Sequence, residues 1–102
     1  MKKLILIIGQ QGSGKTSKMN NILSEWNKPF VIYTFSKFQL SIKSVIKQNS
    51  KVIAIEEVCS IEQLDYIINV LNNYPMEIIV TSSLSINELS EDKKLNIEIV
   101  KL

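Results

Sequence analysis

Gly9-Gln10-Gln11-Gly12-Ser13-Gly14-Lys15-Thr16 decides how the rest of the chain is read. It follows a short apolar run, Leu4 to Ile8, and precedes a stretch in which Met19, Ile22, Leu23 and Trp26 recur at i, i+3, i+4 and i+7. The first pattern suits a strand buried on both faces, and the second suits one face of a helix running from about Gly14 to Asn27. The loop between them fits G-x-x-x-x-G-K-S/T at every required position, in the strand-then-helix context the pattern needs. Glycines let the backbone curl so that its N–H groups converge, and the opening helix adds partial positive charge, so the segment is built to hold phosphate. Lys15 is the candidate for the β- and γ-phosphates, Thr16 for a magnesium ion, and Ser17 is a neighbouring hydroxyl.

Working outward, strands and helices alternate. Pro29 opens a new element, and Phe30 to Phe35 reads as a second strand. Phe38, Ile42, Val45 and Ile46 suggest a short helix with Lys43 and Lys47 on its wet face, although Ser36 to Ser44 is also compatible with partial loop. Val52 to Ile55 is a third buried strand, closed by Glu56 and Glu57. Ser60 with Gln63 forms a capping box ahead of Ile61, Leu64, Ile67, Ile68 and Leu71, and that helix stops at Asn72. Met76 to Val80 is a fourth strand, Ser85 and Glu88 cap a short helix through Lys94, and Asn96 to Lys101 is a fifth strand at an edge. This alternation predicts one α/β domain over residues 1–102, a three-layer sandwich with a mostly parallel sheet and right-handed crossovers.

Composition removes several chemistries. Among 102 residues there is no His, so imidazole bases and His-ligated metals are excluded, and all twelve basic residues are Lys, so no arginine finger can come from this sequence. The single cysteine, Cys59, forms no internal disulfide and reads as a small apolar residue at a helix entrance. No apolar run approaches the roughly eighteen residues of a membrane span, and a cytoplasmic location is expected, with no membrane insertion. Residues 1–51 carry a charge of +8, with Glu25 their one acid, against −6 for residues 52–102. That asymmetry suits either a polyanionic partner or head-to-tail self-association, and uneven drift of a solvated surface explains it equally well.

On Gly9 to Thr16 the chain resembles the P-loop NTPase superfamily, and Val52 to Glu57, an apolar run ending in two acids, is similar to its Walker B strand. The resemblance implies that Gly9, Gln10, Gln11, Gly12, Ser13, Gly14, Lys15, Thr16 and Ser17 hold ATP, and that Thr16 and Glu56 hold Mg²⁺. It further implies that Glu57 polarises the attacking water and that Thr81, near Ser82 and Ser83, senses the γ-phosphate. Where the superfamily usually has Asp, this chain has Glu56.

A glutamate after the Walker B acid resembles the additional-strand branch that includes RecA-like, AAA and HerA/FtsK-like ATPases, which implies strand order 5-1-4-3-2. The short length, the basic leading half and the richness in Lys, Asn and Ile resemble a compact Zot-like or DNA-packaging ATPase of a virus or mobile element, which implies a host-cytoplasm location. The expected activity is Mg²⁺-dependent ATP hydrolysis, slow in isolation because the positive finger has to come from a second copy or a partner protein. Five lysines and no acid between Lys28 and Lys51, interleaved with Tyr33, Phe35 and Phe38, form a candidate nucleic-acid surface, with buried strand aromatics and a wet helix face as the plain alternative. A nucleoside-kinase-like phosphotransferase and a non-catalytic nucleotide-dependent module are the alternative functions.

Overall fold

The computed structural model describes residues 4–47 and 51–102; the side chains of Ile46 and Lys47, assigned above to a helix, lie outside the described residues. Strands β1 (Leu4–Ile8), β2 (Phe30–Thr34), β3 (Val52–Val58), β4 (Glu77–Ser82) and β5 (Glu98–Lys101) form one sheet in the order β2-β3-β4-β1-β5. Every pairing is parallel, and β5 and β2 are the edges. This is the expected order read from its other end.

Burial explains the strand sequences. All of Leu4–Ile8 is buried, with Leu4, Leu6 and Ile8 in one apolar cluster and Ile5 and Ile7 in another, which is why β1 reads as a continuous apolar run. Each fully buried Leu or Ile contributes about 1.5–3 kcal/mol relative to exposure. Helix α1 (Lys15–Trp26) packs Met19 and Leu23 on the second cluster, together with Val52, Ala54 and Ile79. Helices α2 (Phe35–Leu40), α3 (Ile42–Lys47) and α4 (Ile61–Leu71) pack Phe35, Phe38, Val45, Leu64, Ile67 and Leu71 on the first. Helix α5 (Glu91–Asn96) joins that side through an ion pair between Lys93 and Asp65. The sheet is therefore a middle layer, covered on one face by α1 and on the other by the remaining helices.

Several boundaries differ from the sequence reading, each for a local reason. Phe35 is not the end of β2 but the start of α2, because the Thr34 hydroxyl accepts from the Lys37 N–H and caps a helix there. The expected helix after it breaks at Ser41 into two short pieces. The segment from Ser85 to Lys94 also divides, with the Ser85–Glu88 capping box closing a single 3-10 turn and Ser90 capping α5. Phe35 and Phe38 are buried against Tyr66, with ring centroids 5.9 and 6.3 Å from it, so these two rings are core and not a base-stacking surface. The exposed aromatic of that segment is instead Phe30, on the side of β2 where Ile32 is also exposed.

Candidate functional site

Strand order creates the site. Chain leaving β1 turns to α1 on one face, whereas chain leaving the adjacent β4 turns to the opposite face, which opens a crevice at the carboxyl ends of the strands. A cleft of about 910 Å³ lies there, lined by Gln11, Gly12, Gly14, Lys15, Thr16 and Ser17 from the loop and α1. Glu56, Glu57, Thr81, Ser82 and Ser83 line it from the ends of β3 and β4. Gly9, Gln10 and Ser13 face a second hollow of about 520 Å³ on the other side of the loop, so the structure gathers most of the predicted site residues but divides the loop between two spaces.

The three glycines have two different physical reasons. Gly12 (φ 82°) and Gly14 (φ 91°) are left-handed, and a Cβ on either would meet nothing within 4 Å; conformation alone asks for glycine. At Gly9 the reason is space, because a Cβ would lie 2.3 Å from Ser13 Oγ and 3.2 Å from the Leu102 Cβ.

Beyond Gly14, α1 begins with no side-chain cap and no acid in its first turn. The positive end of its dipole therefore meets no acid from its own first turn, and Lys15 adds to that charge, an arrangement that an anion would relieve. The Lys15 ammonium donates to the carbonyls of Gly9 and Gln10 at 2.7 and 3.0 Å, arching over the loop. Thr16 Oγ1 donates to Glu56 Oε1 at 2.9 Å, tying the start of α1 to the end of β3.

Glu57 is the irregular point. It has φ 65°, and β3 shifts register on β4 there, with Ile55 opposite Val80 but Val58 opposite Ser82. The result is a β-bulge. Its N–H donates to Thr81 Oγ1 at 3.4 Å, its carbonyl accepts from the Cys59 thiol at 3.4 Å, and its side chain is exposed. Thr81 is 3% exposed, and the equally buried Ser82 hydroxyl donates to the Val58 carbonyl at 2.6 Å while accepting from Leu84 N–H.

Sequence reasoning missed Ser36 and Gln63 in the cleft lining. Gln63 was expected to complete a capping box with Ser60; its N–H does donate to the Ser60 hydroxyl, but its side chain accepts from Cys59 N–H at 2.8 Å instead. Ser36 gives no signal, since it falls between the expected second strand and the apolar positions of the expected helix, whereas α2 already begins at Phe35.

No protein-family model matches the chain, and no curated protein does. Among solved structures, matches include a DNA replication initiation factor and AMPPCP-bound DnaA from Aquifex aeolicus, each with a TM-score of 0.61 and 16% identity. Its fold is similar to theirs. The superposition covers 100% of this chain but 40% and 41% of those structures, so the chain spans about two fifths of their length. At 16% identity the likeness shows a shared five-stranded α/β architecture. Among the described residues no helix is long and apolar enough to cross a membrane.

Proposed function

We propose that this chain binds ATP with Mg²⁺ in the larger cleft and hydrolyses it slowly, as part of a machine that handles DNA. The observation that carries the reading is the Thr16–Glu56 hydrogen bond beside a loop of left-handed glycines. It sets one hydroxyl and one carboxylate side by side, from residues forty positions apart, which supports a phosphate-bound magnesium ion as their ligand. The likeness to an AMPPCP-bound protein supports a nucleoside triphosphate as ligand.

Backbone N–H groups from Gly12 to Thr16 would cradle the phosphates, with Lys15 swinging from its carbonyl partners to the β- and γ-oxygens. No cluster of three His, Cys, Asp or Glu suited to a metal occurs among the described residues. One hydroxyl and one carboxylate nevertheless fit Mg²⁺, which keeps several waters and takes further oxygens from the phosphates. When bound there it supplies neutralisation of phosphate charge. Glu57, exposed at the rim, would accept a proton from the attacking water as that oxygen bonds to the γ-phosphorus and the bridging P–O bond breaks, giving ADP and inorganic phosphate.

DNA as the partner is supported by Lys37, Lys43 and Lys51, exposed in a segment without acids, and by a replication initiation factor among the structural matches. Lys28 of that segment is paired with Glu77. Packaging or assembly for a virus or mobile element is the finer role proposed, with a second copy or partner protein supplying the positive group that an Arg-free chain lacks.

Calorimetric titration of the wild type and Lys15→Ala with ATP, ADP, GTP and GDP in magnesium tests the reading. ATP binding that weakens at least about tenfold in the variant is expected. Absence of heat with every nucleotide removes the assignment.

A further inference from the structure

If Glu57 acts on the attacking water, as proposed above, its carboxylate has to be held in the cleft by a chain that would otherwise turn it away. Side chains of a regular strand alternate between faces. Along β3, Val52 and Ala54 pack toward α1, whereas Ile53 and Ile55 pack into the larger cluster on the opposite face. Continued alternation would direct Glu56 toward α1, where its partner Thr16 is found, and Glu57 into the larger cluster. Val58 takes that buried place instead, at 0% exposure.

The exchange is made by one additional residue. From Ile55 to Val58, β3 spends three steps where β4 spends two, from Val80 to Ser82, and the left-handed backbone of Glu57 absorbs the difference. The β4 residue opposite the irregularity is Thr81. Its backbone is fixed in register against Ile7 of β1, it is 3% exposed, and its hydroxyl oxygen accepts from the Glu57 N–H. An apolar side chain of the same shape would fill the space but offer nothing to that amide.

We infer that Thr81 is a positioning residue for Glu57: its hydroxyl holds the bulge that turns the Glu57 carboxylate out of the core and into the cleft. Its contribution to turnover passes through Glu57 and not through contact with the nucleotide.

The test compares Thr81→Val, Thr81→Ser, Glu57→Gln and the Thr81→Val/Glu57→Gln double variant, reading ATP affinity and single-turnover phosphate release separately. Expected for Thr81→Val is affinity within about twofold of wild type and hydrolysis about tenfold slower, with Thr81→Ser recovering most of the rate. On the Glu57→Gln background the Thr81→Val substitution should add no more than about a twofold loss. Weakened nucleotide binding in Thr81→Val, additive losses in the double variant, or serine behaving like valine would each overturn the inference. Hydrolysis by Glu57→Gln at the wild-type rate would instead remove the role proposed for Glu57, and with it the catalytic half of the inference. The structural half has its own readout, since amide exchange at Glu57 should accelerate in Thr81→Val and not in Thr81→Ser. Unchanged exchange in Thr81→Val overturns the contact whatever the activity. Thr81→Ala serves in its place should valine prevent folding.

Discussion

Thr16 at the start of α1 and Glu56 near the end of β3 share a 2.9 Å hydrogen bond that closes one side of the cleft. Both groups are exposed or half-buried, so the bond itself contributes only about 0.5–1.5 kcal/mol to the fold. Its value is placement. Replacing Glu56 by Gln, or Thr16 by Ala, should leave the melting temperature within a few degrees and raise the magnesium concentration needed for half-maximal ATP binding by about tenfold. Magnesium titrations that superimpose on the wild type would dismiss the pair as metal ligands.

Gly9 and Gly14 should fail differently when changed to alanine. In Gly9→Ala the new Cβ meets Ser13 and Leu102, an overpacking expected to cost about 1–3 kcal/mol. Adding Ser13→Ala, which deletes the hydroxyl 2.3 Å away, should recover part of that loss. Gly14→Ala meets no atom, and its cost of about 1–2 kcal/mol comes from the left-handed backbone, so Ser13→Ala should not rescue it. Denaturant melts of the four variants decide the matter; rescue of both, or of neither, contradicts the two separate causes.

Glu57→Gly should make the protein more stable and less active. Left-handed strain at a non-glycine residue costs about 1–2 kcal/mol, and the added freedom of glycine in the unfolded chain returns part of it, leaving a net gain of about 0.5–1 kcal/mol. For a domain of this size that corresponds to a rise of about 2–8 °C in melting temperature. Phosphate release should fall to background. A destabilised Glu57→Gly would mean that the glutamate side chain supports the fold.

Isolated chain should turn over ATP well below about ten per second, because an arginine finger contributes about 10³- to 10⁵-fold and no Arg occurs in the sequence. Stimulation by a partner or by self-association, seen as a rate per molecule that rises with protein concentration, is expected. A fast, concentration-independent rate would show that the chain's own lysines suffice.

Much of this architecture is legible because its signals are local and strong. The all-buried run of β1, the glycine loop and the helical spacing of Met19 and Leu23 leave little choice, and the sheet order follows from resemblance over that loop and the Val52–Glu57 strand. What escaped the sequence depends on which of two partners a polar group selects. Thr34 caps a helix when its aromatic neighbours suggest strand, and Gln63 turns to Cys59 N–H where the capping pattern points to Ser60. Strand β4 continues through Thr81 and Ser82 because Val58 and Glu57 supply partners for two buried hydroxyls, which hydropathy alone would assign to a loop. The bulge at Glu57 is hidden for a related reason, since period-two reasoning assumes an unbroken ladder.

The shift between Ile55 and Val58 also bears on deletions. Excising Glu57 would leave Glu56 free to sit opposite Thr81, keep Val58 opposite Ser82 and in the core, and turn an interrupted ladder into a continuous one. Glu57 is thus supernumerary to the architecture: the polypeptide could be one link shorter and fold with fewer compromises.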